Sequence, residues 1–306
     1  MAISVRDYRV SDLPAVIGLF QKDFPEEEIF ETDLTLEEYI RWLRITQGWA
    51  FGLLRLLARL SRVGGTVLVA EVDGKVVGTL TFIGQGHVVE ASAALVDPAY
   101  RQQGVASALG EEVRHRLVAH KDYKYARATV KQTNTASLAL NQHFGLEVYD
   151  CYTEYDLPLP LADNGQSAAA EIMSRPRRSA DQLALEALVR RTLPAVFEID
   201  GVAPMNVLVG RVYNYLIGTK RFERVYEQQG RVVGLMRVWA DRKSVKGMMV
   251  RPYCDDVPGL YDLMRQEAAA WAGRAGKTIL RVSEAGQVQV APSQNPVVVV
   301  RLARRL

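Results

Sequence analysis

The fold turns on the stretch "LVDPAYRQQGVASAL", residues 95–109. It opens as a β-strand, turns at Pro98 and enters a helix through Arg101-Gln102-Gln103-Gly104-Val105-Ala106-Ser107. The first N–H groups of a helix have no internal partner and carry the positive end of its dipole, so they suit a phosphate. Gly104 and Ala106 keep side-chain bulk away from those amides, which lets a large anion come close. No GK[ST] follows and GxGxxG is absent, so the stretch is neither a Walker loop nor a dinucleotide fingerprint. Bare backbone here suits a pyrophosphate.

Upstream, TVLVAEV, Asp73-Gly74 and KVVGTLTFI read as a hairpin closed by a type I′ turn. Before it, the pattern predicts a strand at 3–9, a helix at 12–22 and a further helix within 35–62. WAFGLLRLLARLSRV at 49–63 places Arg55, Arg59 and Arg62 on one helical face, which makes it amphipathic and not a membrane span. Around the opening stretch lie a strand at 87–96 and a helix at 104–119, followed by a strand at 124–130, a helix at 134–143 and a strand at 147–157. The order is mixed α/β.

The pattern then repeats. GRVVG at 230–234 echoes GKVVG at 74–78, a lag of 156, and Val250-Arg251-Pro252 echoes Val96-Asp97-Pro98, a lag of 154. AEIMSRPRRSADQLALEAL likewise resembles AISVRDYRVSDLPAVIGLF at the start of the chain. LPLPLADNGQSAAA, residues 157–170, reads as a linker. The expected organisation is a first domain at 1–158, a linker at 159–170 and a second domain at 171–306.

The pattern R-x-x-G-x-A after V-x-P, within this order of elements, resembles the acyl-CoA pyrophosphate signature of the GNAT acetyltransferase superfamily. Asn134-Thr135-Ala136-Ser137 through Phe144-Gly145-Leu146 resembles that family's later motif, an Asn opening a helix and a Gly-apolar pair after its end. The resemblance implies two GNAT-like domains in tandem, each a mostly antiparallel central sheet flanked by helices. It implies acetyl-CoA as cosubstrate, with Arg101 to Ser107 at the pyrophosphate and Asn134 and Asn141 along the pantetheine arm. A splayed or bulged fourth strand would let the amides of Leu95 and Val96 meet the thioester carbonyl and the pantetheine.

Amine acetylation needs a neutral amine, a stabilised oxyanion and a proton for the thiolate. By resemblance Glu90 is the candidate base, with a pKa that burial would have to raise; its plain alternative is a glutamate at the wet end of a strand. His87 and His143 are weaker candidates. The family's usual acid, a helical tyrosine, is replaced by Asn141, so the thiolate would leave unaided, take a proton from water, or use Tyr149 or Tyr152. The run FPEEEIFETD at 24–33 would attract a cationic acceptor, or is simply a solvated acidic loop.

In the second copy the expected cradle, 255–260, reads Asp255-Asp256-Val257-Pro258-Gly259-Leu260. Two carboxylates would face the pyrophosphate and Pro258 lacks an amide donor, which predicts a degenerate domain without a nucleotide site. A formal net charge of +3 over 306 residues, 24% of them charged, gives no strong single-sign field and so no argument for nucleic-acid or membrane partners, and none is expected. Two distant cysteines form no CxxC pair or metal-ligand set, and MAISVRDYRV has no apolar signal region; both point to the cytoplasm. The sequence therefore predicts an acetyl-CoA-dependent N-acetyltransferase acting on a primary amine of a small molecule by direct attack in a ternary complex. Its alternative is a non-catalytic acyl-CoA-binding or sensory protein. Either would be a monomer with an internal pseudo-dimer, or a homodimer.

Overall fold

Residues 67–72 alternate between two apolar destinations, which is the signature of a strand covered on both faces. Val67 and Val69 join Val16, Leu19 and Phe20 on one side of the sheet, while Leu68, Ala70 and Val72 join Val105, Leu109, Val113 and Leu117 on the other. The computed structural model describes residues 2–23, 63–119, 123–161, 171–202, 219–242, 244–286 and 289–306. The helix expected within 35–62 and the acidic run at 24–33 lie outside them. Among the described residues no helix is long and apolar enough to cross a membrane.

The chain forms two units: Met1–Val148 with Arg301–Leu306, and Tyr149–Val300. The first contains β1 (Ile3–Asp7), α1 (Leu13–Asp23), β2 (Val63–Val72), β3 (Lys75–Gln85), β4 (Val88–Val96), α2 (Val105–Ala119), β5 (Tyr125–Lys131) and α3 (Thr135–His143). The strand β6 (Glu147–Pro158) starts there and continues into the second unit. The second contains β7 (Ile172–Pro176), α4 (Gln182–Thr192), α5 (Pro194–Asp200), β8 (Thr219–Gln228), β9 (Arg231–Asp241), β10 (Lys246–Cys254), α6 (Leu260–Arg274) and β11 (Ile279–Ala285). The last strand, β12 (Val297–Arg305), ends in the first unit.

In the first unit the strand order is β1-β2-β3-β4-β5 followed by β12, and in the second β7-β8-β9-β10-β11 followed by β6. Each unit is thus completed by a strand from the other half of the sequence. The expected domain end at 158 coincides with the end of β6, which pairs with β11 from Tyr152↔Ala285 to Pro158↔Ile279 inside the second unit. The pairs β1–β2, β2–β3, β3–β4, β7–β8, β8–β9, β9–β10 and β6–β11 are antiparallel, whereas β4 with β5 and β10 with β11 are parallel. The expected mixed α/β architecture, two similar domains in tandem, is the observed one.

The duplication extends to side chains. Arg6 bridges Asp12 at 2.7 Å and Glu71 at 2.5 Å, and Arg175 bridges Asp181 at 2.7 Å and Glu227 at 2.5 Å. Both hairpins turn through two residues of positive φ, Asp73 and Gly74 at 50° and 75°, Gln229 and Gly230 at 50° and 76°, which is the type I′ geometry. The final glycine of each GxVVG motif has a packing role. A Cβ on Gly78 would lie 2.8 Å from Val105 Cγ1, and one on Gly234 would lie 2.2 Å from Met264 Cε. Each glycine lets a helix settle onto the sheet.

The second expected landmark is corrected by register. Gly78 pairs with Val96 and Gly234 with Cys254, so the counterpart of Asp97 is Asp255, not Arg251. The Asp97 amide donates to Val77 O at 2.8 Å, as the Asp255 amide does to Val233 O at 2.8 Å. Arg251 and Pro252 occupy instead a bulge between Val250 and Tyr253, matching one between Ser92 and Leu95. Proline, having no N–H to give to a ladder, fits a bulge.

Candidate active site

The cradle is built by backbone conformation. The Asp97 carboxylate accepts from the Ala99 amide at 3.1 Å and pairs with Lys22 at 2.7 Å, which fixes the turn 98–100. The Lys22 ammonium and the Ala99 amide hold the Asp97 carboxyl below the usual carboxylate range. Arg101 is extended, with its Nε on Val96 O at 3.2 Å; Gln102 has φ 59° and Gly104 φ 85°. Left-handed residues of this kind turn successive amides toward a common side, which suits an anion. Val105 opens α2 and is buried at 1%, anchoring the cradle in the core while Arg101 to Gly104 stay exposed.

The physical reason for Gly104 differs from the sequence expectation. An added Cβ would meet only Ile3 Cδ1, at 3.9 Å, so space is not what requires glycine there. Its positive φ is, since such a backbone is strained for residues with a side chain. Ala106 and Ser107 follow in the first turn, half-buried.

Next to the cradle the sheet opens. The pairing of β4 with β5 runs from Val88↔Tyr125 to Ala91↔Ala128 and stops there. Beyond that point β4 keeps only β3 as a strand neighbour, with the bulge at Ala93 and Ala94 followed by Leu95↔Thr79 and Val96↔Gly78. Leu95 and Val96 therefore lie on the parted edge, as a splayed strand requires. A cleft enters between the strands, lined by Glu90, Ala94, Leu95, Asn134, Ser137 and Asn141 among others, and it continues between α2 and α3.

The structure brings Glu90, Leu95, Asn134 and Asn141 to this one cleft; Val96 and the cradle residues Arg101 to Ser107 are not in its lining. Glu90 has no vacant carboxylate environment. Its Oε2 takes Arg127 Nη2 at 2.6 Å and Nε at 3.1 Å, and its Oε1 takes Thr129 Oγ1 at 3.2 Å. Asn134 caps α3, its Oδ1 accepting from the Ser137 amide at 3.1 Å. Asn141 Nδ2 donates to Ser137 O at 2.8 Å within the same helix.

The alternative donors Tyr149 and Tyr152 and the weaker base candidates His87 and His143 are not among the residues lining the cleft. Tyr149 belongs to the second unit, where its hydroxyl meets both Asp200 oxygens at 3.2 Å, and Tyr152 lies in that unit too. His87 packs edge-on to Tyr125 at 6.0 Å between ring centroids, and exposed His143 sits beside Phe144. Arg127 and Thr129 carry no signal in the sequence, because cross-strand neighbours leave no mark in spacing. Both cysteines are free thiols pushed up by burial.

The second unit keeps the scaffold and shortens the cradle. Gly259, φ 76°, precedes α6 as Gly104 precedes α2, and both helices have 15 residues. Gly104 follows Asp97 by seven positions, but Gly259 follows Asp255 by only four, so the counterpart of Arg101-Gln102-Gln103 is missing. Asp255 does not face a vacant cradle as expected: it pairs with Arg191 at 2.7 Å, repeating the Asp97–Lys22 contact. The bulge residue Arg251 forms an ion pair with Asp150.

Residues 15–146 match the model of the acetyltransferase (GNAT) family. An acetyltransferase of Pectobacterium atrosepticum is 29% identical over 127 residues, spanning 42% of this chain and 87% of the relative. Among solved structures, a tandem GNAT protein from the clavulanic acid biosynthesis pathway has a TM-score of 0.62 at 14% identity, covering 99% of this chain and 98% of that one. A GCN5-related N-acetyltransferase from Sphaerobacter thermophilus has a TM-score of 0.60 at 15% identity, covering 99% and 95%. At such identities these likenesses establish the fold.

Proposed function

We propose, from the premise that residues 15–146 are a GNAT acetyltransferase domain, that the chain moves an acyl group from a CoA thioester to a primary amine of a small molecule. The observation that carries this reading is the conjunction of an amide-rich, positive-φ turn at 101–104 with a sheet that parts beside it. The turn offers donors to a pyrophosphate, and the parted edge of β4 admits a slender pantetheine arm beside Leu95. With acetyl-CoA as donor, the amine nitrogen bonds to the carbonyl carbon, the carbon–sulfur bond breaks, and sulfur leaves with its electron pair.

In this reading Glu90 receives the proton shed by the amine, directly or through water. Arg127 and Thr129 fix the orientation of its carboxylate in the cleft. Asn141 carries no titrating proton, and a thiol is acidic enough for the thiolate to depart without a tyrosine. The second unit, with its shortened turn and self-paired Asp255, holds no cofactor in this reading. Its contribution is structural, completing the fold through exchanged strands.

Calorimetric titration of acetyl-CoA into the wild-type protein and Gly104→Glu tests the reading. One site per chain, lost in the variant, is expected; two sites would overturn the account of the second unit. The commitment of both Glu90 oxygens, together with Asn141 in place of an acid, favours one second reading, a non-catalytic acyl-CoA sensor. CoA release across a panel of small amines distinguishes them, since a sensor binds the thioester and releases none.

A further inference from the structure

The cleft does not end where β4 and β5 part. It runs on between α2 and α3 over Ala126 and Ala128 of β5, with Ala91 of β4 at its upper end. Gly110, Val113, Arg114 and Leu117 form its α2 wall at i, i+3, i+4 and i+7, one stripe of the helix about 10 Å long. Arg114 leans to Glu111 at 2.7 Å and stays at the rim. On the other side stand Leu140 and Phe144, whose ring packs against Gly110, and Leu306 also lines the cleft. Around the small side chains of the floor the walls are mostly apolar, with Arg114 and Arg304 among the lining.

The fold does not require this space. Strand register matches Ala91, Ala126 and Ala128 with Met249, Leu280 and Val282 of the second unit, all three 0% exposed in its core. The matching positions therefore carry large side chains in the second unit, where among the described residues no α-helix stands between β11 and β12, and alanines in the first, where α3 stands between β5 and β6. An apolar hollow is costly, because its lining forgoes dispersion contacts. Three alanines in place of Met, Leu and Val are accounted for if an apolar ligand occupies the gap.

We propose that the first unit takes acyl-CoA donors whose acyl chain is longer than acetyl, its methylenes lying over Ala126 and Ala128 between α2 and α3. The proposal rests on the CoA-dependent reading above and specifies its donor. The chemistry is unchanged: the amine nitrogen bonds to the acyl carbon, CoA leaves as its thiolate, and the amine proton passes to the base. Only the group transferred differs. The cleft is continuous with the parted edge beside Leu95, so a chain attached at that carbonyl needs no second entrance.

The experiment is calorimetric titration of CoA, acetyl-CoA and hexanoyl-CoA into the full chain, repeated on Ala126→Val and Ala128→Leu. A fully buried methylene is worth up to about fourfold in affinity, so hexanoyl-CoA is expected to bind about tenfold or more tighter than acetyl-CoA. In whichever variant keeps the wild-type circular dichroism, that ratio should fall toward one. Equal affinity of the two esters in the wild-type protein overturns the proposal and leaves the CoA-dependent reading standing. Absence of binding by CoA and both esters overturns that reading and the proposal with it. A hexanoyl advantage that survives both folded substitutions overturns the placement of the chain.

Discussion

Glu90 meets Arg127 at 2.6 Å and Thr129 at 3.2 Å, so an incoming amine finds a carboxylate whose direction is already fixed. A base held in this way acts by position, and Glu90→Gln keeps the shape while removing the proton acceptor. We expect it to lower kcat/KM by about 100-fold or more with little change in the acetyl-CoA dissociation constant. A loss of CoA-ester affinity instead would place Glu90 in binding. Asn141, bonded to Ser137 O at 2.8 Å, predicts the opposite behaviour. Asn141→Ala should stay well short of the roughly 100-fold loss that removing a general acid causes, as steady-state kinetics over pH 6 to 9 can show. The sequence disclosed both positions but not their circumstances. Arg127 is 37 residues from Glu90 and reaches it only because β4 and β5 run parallel in that register.

The elements were legible where a local pattern fixes them. Strand and helix limits within the described residues fall close to those expected, since caps, turns and apolar periodicity act over a few neighbours. Register is another matter. Val250-Arg251-Pro252 imitates Val96-Asp97-Pro98 as a string, yet it forms a bulge, because bulge and turn both accept proline. The turn at 229–230 also departs from its twin: Gln229 holds φ 50° where the first hairpin has Asp73. Asn tolerates that region better than Gln, so Gln229→Asn should stabilise the protein by about 0.5–1 kcal/mol, read as a raised midpoint in urea. Acid sensitivity belongs to this scale as well. The Arg6 guanidinium beside Asp12, and Arg175 beside Asp181, hold both carboxyls below the usual carboxylate range. Their folded pKa lies below the unfolded one, so their stabilisation is complete above about pH 5 and is lost as pH falls through the folded value. Replacing both by Asn should lower stability at pH 7 and flatten its decline between pH 5 and pH 2; an unchanged slope would assign acid unfolding to other groups.

For the whole molecule, the exchange of strands carries the furthest consequence, and nothing in the sequence announces it. A strand's own alternation tells which face is apolar but not which neighbour it joins, so in sequence the stretch 159–170 reads as a linker between two domains. The structure assigns Arg301–Leu306 to the first unit, where Leu302, 0% exposed, packs with Ala128, Val130 and Leu146. That cluster lies under α3, so the last strand supports the helix that carries Asn134 and Asn141. Leu302→Ala should cost about 2–4 kcal/mol, as large-to-small changes in a packed core do. Cutting the chain after residue 158 removes the whole strand and leaves the β5 edge of the sheet open. The fragment 1–158 is therefore expected to show no saturable binding of acetyl-CoA at concentrations where the full chain binds, and a peptide spanning 297–306 should restore part of it. If the fragment alone bound as tightly as the full chain, the first unit would be complete without β12, and the second unit would have to be explained by something other than the strand it lends.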